Sequence, residues 1–136
     1  MRILILGANG FIGRRILNRL APKHQVMACS LHQDIMPEGG YHFETIDILD
    51  SHALIGLFKE FQPDVIINGS AYSVVDYCEQ HQEEAYAMNV TVVKHLAEYS
   101  QANSCRLIHI STDFVFDGTS TKAYTETDSP NPIIYY

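Results

Sequence analysis

The chain has 136 residues, and its 9 lysines and arginines against 16 aspartates and glutamates give a formal net charge of −7. This acidity disfavours nucleic acid as the main partner, because phosphate backbones bind to basic surfaces. With 46% hydrophobic and 18% charged residues, the composition is typical of one globular domain, and no apolar run is long enough to cross a membrane as a helix.

Short apolar runs alternate with amphipathic segments along the chain. The apolar runs predict five strands, at residues 2–6, 25–29, 42–46, 64–68 and 106–110. Apolar residues that recur every three or four positions predict three helices, at residues 10–20, 51–61 and 82–100. Residues 111–136 are rich in Ser, Thr, Asp and Pro, and we expect them to be mostly loop.

Each predicted helix has an apolar face that identifies candidate core residues. These residues are Phe11, Ile12, Ile16, Leu17 and Leu20 in the first helix, Leu54, Leu57, Phe58 and Phe61 in the second, and Ala85, Met88, Val92, Leu96 and Tyr99 in the third. Asp50 or Ser51 can cap the second helix. Strands and helices in alternation predict an α/β fold with a doubly wound parallel sheet of strand order 3-2-1-4-5.

The loop between the first strand and the first helix contains three glycines, Gly7, Gly10 and Gly13. A glycine can form the tight turn out of the strand, let the backbone approach a diphosphate, and let the helix pack closely on the strand. We therefore interpret the fold as Rossmann-type and this loop as a dinucleotide site that includes Asn9, Phe11 and Ile12. A tight turn without a ligand is the alternative.

The end of the second strand bears on the choice of dinucleotide. An acid there would favour NAD, but the segment from Ala28 to His32 has none. Arg14 and Arg15 could reach a 2′-phosphate, or they could be solvated residues of the first helical turn. NADP(H) is therefore favoured and NAD(H) stays possible.

Further cofactor-binding candidates lie after the other strands, where ligands bind in doubly wound sheets. Asp47 could accept from an adenine amino group or could be an ordinary loop acid, and small residues after the fourth strand leave room for a flat cofactor. The candidates are Ser30, Asp47, Ile48, Gly69, Ser70 and Ala71. The Thr112 hydroxyl, after the fifth strand, could bond a substrate oxygen, although Ser-Thr-Asp is also a common turn sequence.

The three cysteines, Cys29, Cys78 and Cys105, have no metal-ligand spacing, and no two histidines have the spacing of a zinc-binding pair. We therefore expect reduced thiols, a cytoplasmic protein and no metal site.

Several segments together resemble one family. They are the glycine loop, DVIINGSAY at residues 64–72, VD at 75–76, MNV at 88–90, STDFVFDG at 111–118, Tyr124, ETD at 126–128, and PNPIIYY at 130–136. In this order they resemble the extended short-chain dehydrogenase/reductase family, and within it the branch of dTDP-4-dehydrorhamnose reductases. The resemblance implies NADPH-dependent reduction of the 4-keto group of a nucleotide-activated deoxysugar, for cell-surface polysaccharide synthesis.

The resemblance also implies a set of site residues. Thr112 and a tyrosine, Tyr136 in preference to Tyr135, would be catalytic, together with a lysine four residues after the tyrosine. Asn89 resembles the asparagine that organises the site in this family. The substrate-binding candidates, which could also be ordinary loop residues, are Val74, Val75, Asp76, Thr112, Asp113 and Phe114.

The expected lysine would lie beyond residue 136, and a sheet of this kind usually has a sixth strand. We therefore expect residues 1–136 to be an NAD(P)-binding domain that stops before its last strand and the substrate-binding part, and to be inactive alone. The full-length protein could form a homodimer. Two other interpretations stay open: a non-catalytic NADP-binding subunit like the methionine adenosyltransferase β subunit, and a nucleotide-sugar epimerase or dehydratase.

Overall fold

A computed structural model of the chain describes residues 1–35 and 39–135. The strands are β1 (Arg2–Leu6), β2 (Gln25–Ser30), β3 (His42–Thr45), β4 (Val65–Asn68) and β5 (Arg106–His109). The helices are α1 (Phe11–Leu20), α2 (Ser51–Phe61), α3 (Val75–Gln80), α4 (Gln82–Tyr86) and α5 (Val92–Ala102). A π-helical turn (Ala87–Thr91) joins α4 to α5, and a 3₁₀ turn (Asp113–Val115) follows β5.

The five strands form one parallel sheet in the order β3-β2-β1-β4-β5. This confirms the predicted doubly wound, Rossmann-type arrangement, and each strand bound differs from its prediction by at most one residue. Because all strands run in the same direction, their carboxyl ends meet at one edge of the sheet. The loops that carry the predicted site residues leave from this edge.

The core has two layers, one on each face of the sheet, because successive side chains of a strand point to opposite faces. On one face, Leu4 and Leu6 of β1 pack with the buried residues of α2 and α5. On the other face, Ile3 and Ile5 pack with α1 through Leu17. The predicted apolar faces of the second and third helices are therefore confirmed.

The first helix departs from its predicted face. Phe11 and Ile12 were expected in the core, but they are 70% and 46% exposed. They occupy the first turn of α1, which begins directly after the loop that leaves β1, so this turn lies beyond the ends of the strands. Leu17 is the buried residue of the predicted stripe.

The segment after β4 contains a helix that the sequence did not predict. The six residues of α3 are too few to show a helical period, and the pair Val74-Val75 is more typical of a strand. Cys78 fixes the helix, because its side chain is buried and its thiol donates to the Tyr72 carbonyl at 3.5 Å. Val75 and Asp76 are thus helical residues and not loop residues.

No helix within residues 1–35 and 39–135 has both the length and the apolar character needed to cross a membrane.

Candidate functional site

The glycine loop makes the closest backbone contacts of the site. Gly7 has a φ of +77°, and a Cβ atom there would lie 2.9 Å from the backbone of Gly69 and Ser70. A Cβ atom on Gly13 would lie 2.2 Å from the Gly7 carbonyl oxygen, and one on Gly10 would lie 3.1 Å from the same oxygen. Side chains are therefore excluded from the space where the loop, α1 and the loop after β4 meet.

The amino terminus of α1 has open backbone N–H groups. Gly10 precedes the helix without a side-chain cap, and the first turn contains no acidic residue. In α2, by contrast, the Asp50 carboxylate accepts from the N–H groups of His52 and Ala53 at 2.9 and 3.2 Å. The first-turn amides of α1 can therefore bind an anion, which the positive end of the helix also favours.

Asn9 fixes the loop after β2 instead of capping α1. Its Nδ2 donates to the carbonyls of His32 and Gln33 at 3.1 and 2.9 Å. Arg15 is also held locally, because its guanidinium lies 3.6 Å from the centroid of the Phe11 ring and donates to the Phe11 carbonyl at 3.0 Å. These contacts fix the rim of the glycine loop.

A cavity of about 280 Å³ lies in front of the glycine loop. We call it the glycine-loop cavity; its lining includes Gly7, Gly10, Ser30, Asp47, Ile48, Gly69, Ser70 and Ala71. All eight are predicted cofactor residues; Ser30 is the last residue of β2, and the others come from the loops after β1, β3 and β4. Asp47 is partly engaged already, since its Oδ1 accepts from the N–H of Leu49 at 2.9 Å.

A second cavity, of about 130 Å³, lies at the end of β5. We call it the threonine cavity; its lining is Ser70, Ala71, Asn89, His109, Ile110, Ser111, Thr112 and Val115. Ser70 and Ala71 line both cavities. The two cavities therefore adjoin at the loop after β4, and we call the pair, which extends along the carboxyl edge of the sheet from the glycine loop to Thr112, the groove.

Polar side chains that the sequence analysis did not select support the floor of this groove. Asn68 is fully buried; its Oδ1 accepts from the N–H and the hydroxyl of Ser70 at 3.1 and 2.5 Å. Its Nδ2 lies 3.2 Å from Nδ1 of His109, and because an amide nitrogen only donates, the His109 Nδ1 accepts. Burial lowers the pKa of His109, which favours this neutral form. Asn68 and His109 end neighbouring strands in register, and this pairing could have identified them once the strands were placed.

Asn89 lies on the π-helical turn and fixes the loop after β4. Its Oδ1 accepts from the Tyr72 N–H at 2.9 Å, and its Nδ2 donates to the Tyr72 carbonyl at 3.0 Å. Single π-helical turns inside α-helices are often found at functional sites. Here the turn brings the predicted site asparagine to the wall of the threonine cavity.

Thr112 precedes the 3₁₀ turn after β5, as its amino-terminal cap. Its hydroxyl oxygen accepts from the Phe114 N–H at 3.2 Å, and the hydroxyl donates to Asp113 over a long 3.4 Å distance. Thr112 is half-buried in the cavity wall, so its proton can turn toward a ligand oxygen.

The other predicted residues lie outside these linings. Phe11, Ile12 and Gly13 belong to the first turn of α1, Val75 and Asp76 open α3, and Val74 is 64% exposed. Asp113 and Phe114 lie in the 3₁₀ turn next to Thr112. Tyr135 is at the end of the described chain, where its N–H donates to Glu79 at 2.5 Å. Tyr136 lies outside the described residues.

The three cysteines are free and buried, as expected of thiols. Burial raises the pKa of Cys29, the one thiol that borders the groove, to about 12. Within the described part of the chain, no three His, Cys, Asp or Glu side chains are grouped as a metal site would require.

The sequence matches the family described as RmlD substrate binding domain over residues 1–136, which is the whole chain. The chain belongs to this RmlD family. A dTDP-4-dehydrorhamnose reductase of Aggregatibacter actinomycetemcomitans is 34% identical over 99% of the chain and 42% of the relative. Methionine adenosyltransferase 2 subunit beta of Bos taurus is 35% identical over 99% of the chain and 39% of the relative.

Solved structures agree with this RmlD membership. A hypothetical dTDP-4-dehydrorhamnose reductase of Sulfolobus tokodaii aligns with a TM-score of 0.90 and 38% identity, over 100% of this chain and 48% of that one. A dTDP-4-dehydrorhamnose reductase of Bacillus anthracis, solved in complex with NADP, aligns with a TM-score of 0.85 and 29% identity, over 99% of this chain and 44% of that one. The chain thus spans less than half the length of these relatives and structures. Sugar-nucleotide reductases are well represented among them.

Proposed function

We propose that residues 1–136 are the cofactor-binding part of a longer reductase that transfers hydride from NADPH to a 4-keto sugar nucleotide. The observation that carries this proposal is the groove, the two adjoining cavities that extend from the glycine loop to Thr112. The Bacillus anthracis relative was solved in complex with NADP, which supports a nicotinamide cofactor.

The residues present fit a dinucleotide. The glycines let the loop pack closely against the loop after β4 and against α1, and the first-turn amides of α1 are open to the diphosphate oxygens. Ser30, Asp47 and Ile48 would hold the adenosine end, and Ser70, Ala71 and Asn89 would hold the nicotinamide end. Phe11, Ile12 and Gly13 would contribute backbone N–H groups.

The preference for NADP(H) over NAD(H) depends on charge near the end of β2. Ser30 ends this strand, and no acid lies there to bond the ribose hydroxyls. Arg15 is held against Phe11, which leaves Arg14 as the better candidate for contact with a 2′-phosphate.

When bound, the cofactor would supply the hydride, and the protein's own groups would bind the carbonyl oxygen and supply the proton. The Thr112 hydroxyl, already oriented by the Phe114 N–H, would donate to the oxygen as its charge develops. Tyr136, with Tyr135 as the alternative, would provide the proton, and a lysine four residues later would lower its pKa. Because this lysine lies beyond residue 136, the 136-residue polypeptide should be inactive alone.

The proposed substrate is dTDP-4-dehydrorhamnose, the sugar nucleotide in the names of the reductase relatives. Val75 and Asp76 at the start of α3, and Asp113 and Phe114 beside Thr112, would form this chain's share of the sugar site. The cytoplasmic location and the homodimer stay predictions.

The test is NADPH oxidation by the full-length protein with dTDP-4-dehydro-L-rhamnose. We expect turnover, a kcat reduced by a factor of about 100 in Thr112→Ala, and a kcat within about tenfold of wild type in Thr112→Ser, which keeps the hydroxyl. Full-length protein that binds NADPH but does not oxidise it with this substrate would contradict the proposal.

The second candidate is a non-catalytic NADP-binding subunit, which the 35% identity to methionine adenosyltransferase 2 subunit beta favours. The NADPH-oxidation assay distinguishes this subunit from the reductase. Tight NADPH binding without turnover, together with a residue other than lysine four positions after Tyr136, would support the subunit.

A further inference from the structure

The carboxylate of Asp117 collects four hydrogen bonds in the segment after the 3₁₀ turn. Its Oδ1 accepts from the Thr119 N–H at 2.9 Å, the Thr119 hydroxyl at 2.8 Å and the Tyr124 hydroxyl at 2.8 Å. Its Oδ2 accepts from Nδ2 of Asn131 at 2.8 Å. These donors, with the Thr119 N–H first among them, hold the pKa of Asp117 well below its ordinary value, so the carboxylate stays ionised.

The bond to Asn131 joins two segments that are 14 residues apart. The backbone of Asn131 is also held, because its N–H donates to the Val115 carbonyl at 2.8 Å. Val115 belongs to the 3₁₀ turn that Thr112 caps, and it lines the threonine cavity. Asn131 is therefore fixed by its backbone to the turn that presents the Thr112 hydroxyl, and by its side chain to Asp117, two residues after that turn.

A ring contact stabilises the same part of the chain, around Asp117. Phe116 and Tyr124 stack with their centroids 4.2 Å apart and their planes 7° from parallel. The Tyr124 hydroxyl then reaches the carboxylate of Asp117. Tyr124 thus contacts both Phe116 and Asp117, and holds residues 116–124 together.

The short chain between Asn131 and the predicted catalytic tyrosine limits how far apart the two can lie. Five residues lead from Asn131 to Tyr136 and four to Tyr135, so even a fully extended chain spans at most about 18 Å and about 14 Å. Holding Asn131 beside Val115 therefore limits where the tyrosine can lie relative to Thr112.

We propose that Asp117 is a positioning residue, which through Asn131 sets the distance between the Thr112 hydroxyl and the tyrosine that follows. This inference rests on the proposed reductase function. Asp117 lines neither cavity of the groove, so its effect would pass through its hydrogen bond to Asn131, which we call the Asn131 clamp.

Exchanging the carboxylate and the amide between residues 117 and 131 of the full-length protein tests the Asn131 clamp. Asn131→Asp places two carboxylates where one hydrogen bond stood, and we expect kcat to fall by about tenfold or more while the KM for NADPH stays within about twofold. Asp117→Asn should have a smaller effect, because the Asn131 amide can flip and accept. In the double variant Asp117→Asn, Asn131→Asp, the new amide donates to the new carboxylate, so kcat should return to within about threefold of wild type.

Asp64→Asn is the matched control for Asp117→Asn, since it also neutralises a carboxylate that accepts a backbone N–H, that of Arg2 at 2.7 Å, but it precedes β4, at the edge of the sheet opposite the groove. Its kcat should equal that of wild type. An unchanged kcat in Asn131→Asp, or a double variant no better than Asn131→Asp, would overturn the positioning role.

Hydrogen exchange gives a readout that needs no substrate. The backbone amide of residue 131, which donates to the Val115 carbonyl, should exchange faster in Asn131→Asp and return to the wild-type rate in the double variant. Equal rates in all three proteins would show that the clamp does not exist. Inactive wild-type protein with the expected exchange pattern would instead overturn the reductase function and leave the clamp supported.

Discussion

At the scale of single residues, Gly7 combines a left-handed backbone with a close approach to another loop. Its φ is +77°, and a Cβ atom would lie 2.9 Å from backbone atoms that cannot move aside as a flexible side chain would. Both features penalise every other residue. Gly56, in the middle of α2, has no atom within 4 Å of the corresponding Cβ position.

This difference predicts opposite effects of the same substitution. Gly7→Ala should lower the free energy of unfolding by about 2 kcal/mol or more and weaken NADPH binding, whereas Gly56→Ala should raise the free energy of unfolding by about 0.5–1 kcal/mol. Urea unfolding of the two variants measures the changes in the free energy of unfolding, and calorimetric titration of Gly7→Ala with NADPH measures the change in binding. Similar losses of stability in both variants would contradict the role given to Gly7.

At the scale of elements, the segment from α4 to α5 shows what the sequence could predict. The apolar period of residues 82–100 identified a long helix and its buried face, because Ala85, Val92 and Leu96 recur at helical spacing. The π-helical turn inside it was not predictable, since a single extra residue in one turn barely changes the pattern. That turn places Asn89 against Tyr72, which only the three-dimensional contact reveals.

The two bonds of Asn89 predict its contribution to stability. Asn89→Ala leaves the Tyr72 N–H without its partner and the Tyr72 carbonyl with only the long bond from the Cys78 thiol, so the free energy of unfolding should fall by about 1–3 kcal/mol. Asn103→Ala is the control, because Asn103 makes one exposed bond, to the Tyr99 carbonyl at 2.9 Å, and should cost less than about 1 kcal/mol. Equal unfolding midpoints in urea for the two variants would contradict this account.

At the scale of the whole molecule, the strand order and both core layers followed from apolar runs and from the rule that parallel strands connect through right-handed crossovers. The groove followed as well, because carboxyl ends of parallel strands meet at one edge. What did not follow were side-chain contacts between distant segments: Asn68 with His109, and Asp117 with Asn131. Such pairs depend on register and loop path, which local patterns do not specify.

The sheet also has one face that α1 covers only in part. Ile108 of β5 is 46% exposed, whereas its register partner Ile67 on β4 is 7% exposed. The greater exposure of the β5 side chain fits the proposal that residues 1–136 are one part of a longer reductase.

The most direct measurement is a crystal structure of the full-length protein with NADP bound. The account predicts diphosphate oxygens within hydrogen-bond distance of the backbone N–H groups of Phe11 and Ile12, and a nicotinamide ring over Ser70 and Ala71 beside the Thr112 hydroxyl. A dinucleotide bound away from the glycine loop, or a nicotinamide ring on the opposite edge of the sheet from Thr112, would contradict it.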